Sequence, residues 1–133
     1  MIEAKDTGQK EIVIWGDGHQ TRSFMYIDDC TKGIDMILHC DELIATPINL
    51  GSSELVSIND LVTLAEEIGG IRLERAYDPA APRGVAGRNS DNTMIERILK
   101  WEPKTSLRAG LEKTYAWIES QYRDRKAGKR TVS

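Results

Sequence analysis

Apolar positions along the chain fall into short dense runs and longer, helically spaced sets. The first run, EIVIW at 11–15, is β-branched and is followed at once by Gly16-Asp17-Gly18, which predicts a strand ending in a tight turn. A second short strand is expected at Phe24 to Ile27. Cys30, Ile34, Ile37 and Leu38 then recur close to a 3.6-residue period, which predicts a helix with Asp28 and Asp29 as its N-cap and its end near Cys40. Pro47 to Leu50 reads as a third strand, closed by Gly51-Ser52-Ser53. Ser57 and Asp60 have the spacing of a capping box, and the helix they open buries Ile58, Leu61, Val62, Ala65 and Ile68. Gly69-Gly70 stops that helix, and Ile71 to Tyr77 is a fourth predicted strand. The turn-rich stretch from Asp78 to Asn92 is the longest loop. Two helices follow, a short one around Met94, Ile95, Ile98 and Leu99, and a longer one with Leu107, Leu111, Tyr115, Ile118 and Tyr122 in register.

Strands thus alternate with helices, and each connection is long enough to hold a helix, which predicts a small α/β domain with some parallel pairing. The 133 residues and the 40% apolar content allow one domain with a modest core, residues 1–133, with 1–10 and 123–133 expected to fray. Charged residues make up 29%, the net charge is −3 and the two signs are interspersed, which argues against nucleic acid as a partner. The basic cluster Arg123, Arg125, Lys126, Lys129 and Arg130 reads as a solvated tail. Cys30 and Cys40 fit neither a metal site nor a disulfide framework, so a reducing, cytoplasmic setting is expected. No run approaches the roughly 20 apolar residues that cross a bilayer, and MIEAKDTGQK carries no signal-peptide stretch, so neither a membrane nor an export route is expected.

Several short patterns invite chemistry. WGDGHQTR at 15–22 offers Gly-x-Gly after a strand, but Thr21 stands where a third glycine should be, and the next segment predicts a strand rather than a phosphate-facing helix. Tyr122 and Lys126 have Tyr-x-x-x-Lys spacing, yet lie in the charged end of a terminal helix with no chain left to lower a tyrosine pKa. His19 and His39 share no cluster and are offered no catalytic role. Arg22, after the Gly turn, and Arg88, in the long loop, are different. A guanidinium is a rigid fork of donors matched to phosphate oxygens, so two on adjacent loops would make a clamp for a diphosphate, while on composition alone a surface arginine is usually just solvated. Trp15, Trp101 and Trp117 each read as core, and Trp15, at the strand end beside the turn, has the alternative of flanking a base.

The strings WGDGHQTRSFMYIDD, PINLGSSELVSINDLVTLAEEI and GRNSDNTMIERILKWEPKTSLRAGLEKTYAWI resemble the C-terminal half of extended short-chain dehydrogenases over residues 10 to about 120. QTRSF at 20–24 and GRNSDN at 87–92 resemble the GDP-mannose 3,5-epimerases within that family. The resemblance implies an enzyme of two lobes: an N-terminal Rossmann lobe that binds NAD, and a C-terminal lobe that closes over a nucleotide-diphosphate sugar. This chain resembles the second lobe only. The position of Arg22 is implied to contact the substrate diphosphate, and the loop from Arg83 to Asn92 to deliver a second basic contact through Arg88, with Gln20 and Asn89 beside them as further substrate contacts. Ala86 stands where the epimerases carry another arginine, and Arg83 is the residue that could compensate. Ser57 and Asn59 read as capping and structural.

The expectation is therefore an α/β substrate-binding lobe of an NAD-dependent sugar-nucleotide epimerase or dehydratase, lacking the Rossmann lobe. It carries no cofactor or metal of its own and is inactive alone. It binds a nucleotide-diphosphate sugar weakly and uses its uncovered apolar face to meet a Rossmann lobe or a second copy as a dimer. The alternative is a stand-alone, non-catalytic binding or oligomerisation module derived from such an enzyme.

Overall fold

A computed structural model of the chain describes residues 1–82 and 84–129. Its elements in order are α1 (Ile2–Thr7), β1 (Glu11–Trp15), β2 (Thr21–Arg22), α2 (Ile27–Leu38), a single 3-10 turn (Asp41–Leu43), β3 (Val56–Ser57), α3 (Ile58–Gly69), β4 (Glu74–Asp78), β5 (Gly87–Arg88), α4 (Thr93–Leu99) and α5 (Leu107–Lys126). The chain is α/β with two small sheets. In one, β1 and β4 pair in parallel with Ile14 opposite Tyr77; in the other, β2 lies between antiparallel β3 and parallel β5.

The β1–β4 pair follows the side-chain alternation of a strand. Ile14 is buried while Val13 and Trp15 are exposed. On the covered side, Arg75 of β4 reaches Thr63 Oγ1 at 2.5 Å and Glu66 Oε2 at 3.4 Å, both on α3. The other Glu66 oxygen accepts from the Leu73 N–H at 3.0 Å, so this buried carboxylate is satisfied. Helix α3 in turn packs on α5, and the contact is close: a Cβ on Gly69 would lie 2.6 Å from the Tyr115 hydroxyl. Gly33 has the same role on α2, where Leu50 and Trp101 press within 2.5 and 2.9 Å of a Cβ position.

Ser57 caps α3 as predicted: its Oγ accepts from the Asp60 N–H at 3.0 Å, and it donates to the Asp60 carboxylate at 2.6 Å. Gly70 ends α3 in the left-handed conformation. Three expectations need correction. The second strand is Thr21–Arg22 and not Phe24 to Ile27, because the β3 and β5 backbones flank the former, whereas Tyr26 is drawn onto Gly110 of α5. Helix α2 starts at Ile27 with Tyr26 as N-cap, so Asp28 and Asp29 fall in its first turn, where Asp29 accepts instead from the Lys104 and Thr105 N–H groups. Pro47 to Leu50 joins no ladder, since Leu50 is anchored by side-chain packing on Gly33. Helix α1, within residues 1–10, buries Ala4 and donates from Lys5 Nζ to the Gly69 carbonyl at 2.6 Å. Helix α5 runs on to Lys126.

Candidate functional site

The long loop contributes a strand that periodicity does not reveal. Gly87 and Arg88 pair with Thr21 and Arg22, so Arg22 and Arg88 are register partners on adjacent parallel strands. Partners at one register position point to the same sheet face, with backbones about 4.8 Å apart. A Cβ on Gly87 would meet Thr21 Oγ1 at 2.7 Å, so a larger residue there needs the Thr21 side chain to turn away.

The Arg22 guanidinium is half-buried and folds back, donating from Nη1 to its neighbour's Thr21 carbonyl at 2.7 Å, with Nη2 3.5 Å from where a Cβ on Gly84 would stand. Arg88 is exposed and lines a cleft of about 380 Å³ with Ser23, Asn49, Ser52, Asn89 and Ser90. Asn89 itself donates from Nδ2 to the Ser53 carbonyl at 3.5 Å. This cleft lies at the C-terminal end of the β2–β5 pair. A second, of about 360 Å³, lies at the opposite end and is lined by Asp17, His19, Gln20, Gly84, Val85 and Ala86. Gln20 donates from Nε2 to the Trp15 carbonyl at 2.7 Å, while its buried Oε1 has no partner. Trp15 is 60% exposed at the end of β1. The structure therefore brings Arg22 and Arg88 onto one strand pair, sets Asn89 directly after it, and joins Gln20 to Trp15. Of the five candidates, Arg88 and Asn89 line the first cleft and Gln20 the second, while Arg22 and Trp15 line neither. Arg83 lies outside the described residues.

The Gly turn between β1 and β2 does not fit the pyrophosphate of a dinucleotide. Its Gly16 N–H is committed to the Asp78 carbonyl at 2.7 Å, and the element that follows is β2 rather than a helix. Instead the turn serves as a cap: its Gly18 and Gln20 carbonyls accept from the Asn59 and Ile58 N–H groups at the start of α3, at 3.0 and 3.2 Å. Asn59 completes the grip from its side chain, donating to the Asp17 carbonyl at 3.3 Å and accepting from the Tyr77 hydroxyl at 3.0 Å. Sequence reasoning read Asn59 as capping and structural; its reach across 42 positions to the turn has no signal in local spacing.

Tyr122 and Lys126 both bind the Asp6 carboxylate, at 2.8 and 2.5 Å, and so tie α1 to α5. The bond to Asp6 raises the Tyr122 pKa, the opposite of what an acid/base tyrosine needs. His39 lies against the Asp35 carboxylate of its own helix at 3.3 Å, and both cysteines are free and half-buried. Among the described residues no helix is long and apolar enough to cross a membrane.

The fold and its strand pair define a class: an α/β domain presenting two partnered arginines between two open clefts. The chain belongs to the GDP-mannose 4,6 dehydratase family, whose model matches residues 1–114. A GDP-mannose 3,5-epimerase of Arabidopsis thaliana is 39% identical over 127 residues, which is 96% of this chain and 33% of the relative. GDP-L-fucose synthase 1 of the same plant is 34% identical over 115 residues, covering 86% of this chain and 35% of its own. Among solved structures, UDP-glucuronic acid 4-epimerase from Bacillus cereus, in complex with UDP-glucuronic acid and NAD, superposes with a TM-score of 0.79 at 32% identity over 90% of this chain and 38% of that one. The resemblance to extended short-chain dehydrogenases, and to GDP-mannose 3,5-epimerases among them, is thereby shown. The chain spans about a third of the length of these relatives.

Proposed function

We propose that this chain is the substrate-holding lobe of an NAD-dependent sugar-nucleotide epimerase or dehydratase, and that Arg22 and Arg88 grip the diphosphate of a nucleotide sugar. The register pairing of the two arginines carries this reading, because guanidinium groups on adjacent strands match two neighbouring phosphates. Trp15 flanks the base, and Gln20 and Asn89 supply polar contacts at the two ends of the strand pair. Likeness to a GDP-mannose 3,5-epimerase favours a GDP-sugar as the ligand. Within these 133 residues the lobe holds and does not transform. The Gly turn is spent on capping α3 and the Tyr122–Lys126 pair on Asp6, so the hydride chemistry of NAD falls to groups outside the described residues.

Half of a cleft leaves phosphates wet, and exposed charge pairs contribute only about 0–1 kcal/mol. Titration of the chain with GDP-mannose or GDP, followed by two-dimensional NMR, is expected to give a dissociation constant on the order of a millimolar. Arg22→Ala and Arg88→Ala should each weaken it by about threefold or more. Lys129→Ala, a tail lysine paired with Asp124, should leave it unchanged. Wild-type chain that ignores both ligands, or arginine variants that bind as tightly as wild type, would reject the clamp. A second reading, an assembly module without ligand, is favoured by the apolar stripe exposed on α2 at Ile27, Ile34 and Leu38.

A further inference from the structure

We infer that Asn59 is a positioning residue that holds the Gly16–Gln20 turn, and through it the strand bearing Arg22, in its ligand-ready geometry. This rests on the clamp reading of Arg22 and Arg88. The turn is the short connection between Trp15 at the end of β1 and Thr21 at the start of β2, so its shape sets where Arg22 stands relative to β5. Gly16 and Gly18 both take positive φ, 81° and 75°, a region open to glycine but also a flexible one. Something must therefore hold the turn in one form.

Asn59 does so with two bonds to the turn and a third that orients its amide. Its backbone N–H donates to the Gly18 carbonyl at 3.0 Å, and its side-chain Nδ2 donates to the Asp17 carbonyl at 3.3 Å. Its Oδ1 accepts from the Tyr77 hydroxyl at 3.0 Å, which fixes the amide orientation and ties it to β4. The side chain also lies flat on Gly18, where any Cβ would overlap the amide group. One residue near the start of α3 thus spans the turn and the β1–β4 pair. Nothing about helix formation requires this, because Ser57 already caps α3 through Asp60. The Asn59 amide serves the turn.

Asn59→Ala removes both side-chain bonds and keeps the backbone one. Two readings separate positioning from stability. Amide exchange at His19, whose N–H binds the Asp17 carboxylate at 3.0 Å within the turn, should accelerate in Asn59→Ala without any ligand present. Affinity for GDP should fall by about three- to tenfold, the cost of ordering a loosened loop on binding. Tyr77→Phe should move both readouts in the same direction by less. The double variant should be no weaker than Asn59→Ala alone, since both act through one amide. Ser106→Ala, which removes the N-cap of α5, is the control: it lowers the melting temperature while leaving GDP affinity and His19 exchange as in wild type.

Unchanged His19 exchange or unchanged GDP affinity in Asn59→Ala, while Arg22→Ala still weakens binding, overturns the inference and leaves the clamp standing. The same loss of affinity in Ser106→Ala also overturns it, because stability alone would then explain the effect. Wild-type chain that does not bind GDP brings down the clamp, and the inference with it.

Discussion

Gly87 stands where a side chain would meet that of Thr21, its register partner on β2. With 2.7 Å between its Cβ position and Thr21 Oγ1, Gly87→Ala forces either a χ1 rotation of Thr21 or a shift of β5 that carries Arg88 with it. A shift of the strand is expected to cost about 1–3 kcal/mol of stability, read by urea denaturation, together with weaker GDP binding. Wild-type stability and affinity in Gly87→Ala would show that Thr21 turns aside and the strand pair stays in place. At this scale the sequence exposes chemistry but not geometry. A guanidinium after a Gly turn can be singled out because its donor fork has few other uses so placed. That Arg22 and Arg88 are register partners cannot be seen, because strands of two residues have no periodicity to read. Family resemblance supplied the link that spacing could not. The partnerless Oε1 of Gln20 and the three-way bonding of Asn59 appear only once residues distant in sequence are assembled.

Helices were legible where their ends carry local chemistry. Ser57 with Asp60, and Gly70 after Gly69, fix both ends of α3 within a few residues, and the structure follows them. Strands inferred from apolar runs were legible in part: EIVIW is β1 and Ile71 to Tyr77 overlaps β4, whereas Phe24 to Ile27 and Pro47 to Leu50, whose Tyr26 and Leu50 pack on Gly110 and Gly33, join no ladder. Asp28 and Asp29 looked like a cap by type, yet Asp29 works at long range, accepting from Lys104 and Thr105 at 3.1 and 2.8 Å and so pinning the connection before α5 onto α2. Burial acts to raise its pKa, but the Thr105 and Lys104 hydrogen bonds outweigh it and hold the carboxyl below the ordinary value. A carboxyl with a depressed folded pKa stabilises the fold above its unfolded pKa, near 3.9, and loses that contribution as pH falls through the folded value. Stability contributed by Asp29 should therefore be complete at pH 6, begin to fall near pH 4 and vanish once the pH is below the folded value. Asp29→Asn should cost about 1–2 kcal/mol at pH 6 and progressively less towards pH 3, measured by urea denaturation across the range. A pH-independent difference would assign the effect to packing.

The whole molecule has more apolar surface than its two small sheets can cover. Ile27, Ile34 and Leu38 of α2 are 60, 47 and 76% exposed, and with Thr31 they follow a 4-3-4 spacing along one stripe. That spacing is the seam of paired helices, and the stripe carries no charge, so it is self-complementary about a two-fold axis. A second copy of the chain is the occupant this geometry fits when no other segment of a longer protein lies against it. Each square ångström of apolar surface removed from water contributes about 25 cal/mol, against the rotational and translational cost of association. The chain should therefore dimerise at concentrations on the order of tens of micromolar. Ile34→Lys combined with Leu38→Glu places charge on the seam without touching the buried side of α2, where Gly33 packs on Leu50 and Trp101. Sedimentation velocity is expected to show a dimer for the wild type and a monomer of unchanged melting temperature for the double variant. A wild-type monomer at these concentrations removes the stripe as a self-association face. A double variant that still dimerises moves the interface elsewhere, with the Val13 and Trp15 face of the β1–β4 pair, 58 and 60% exposed, the next to test.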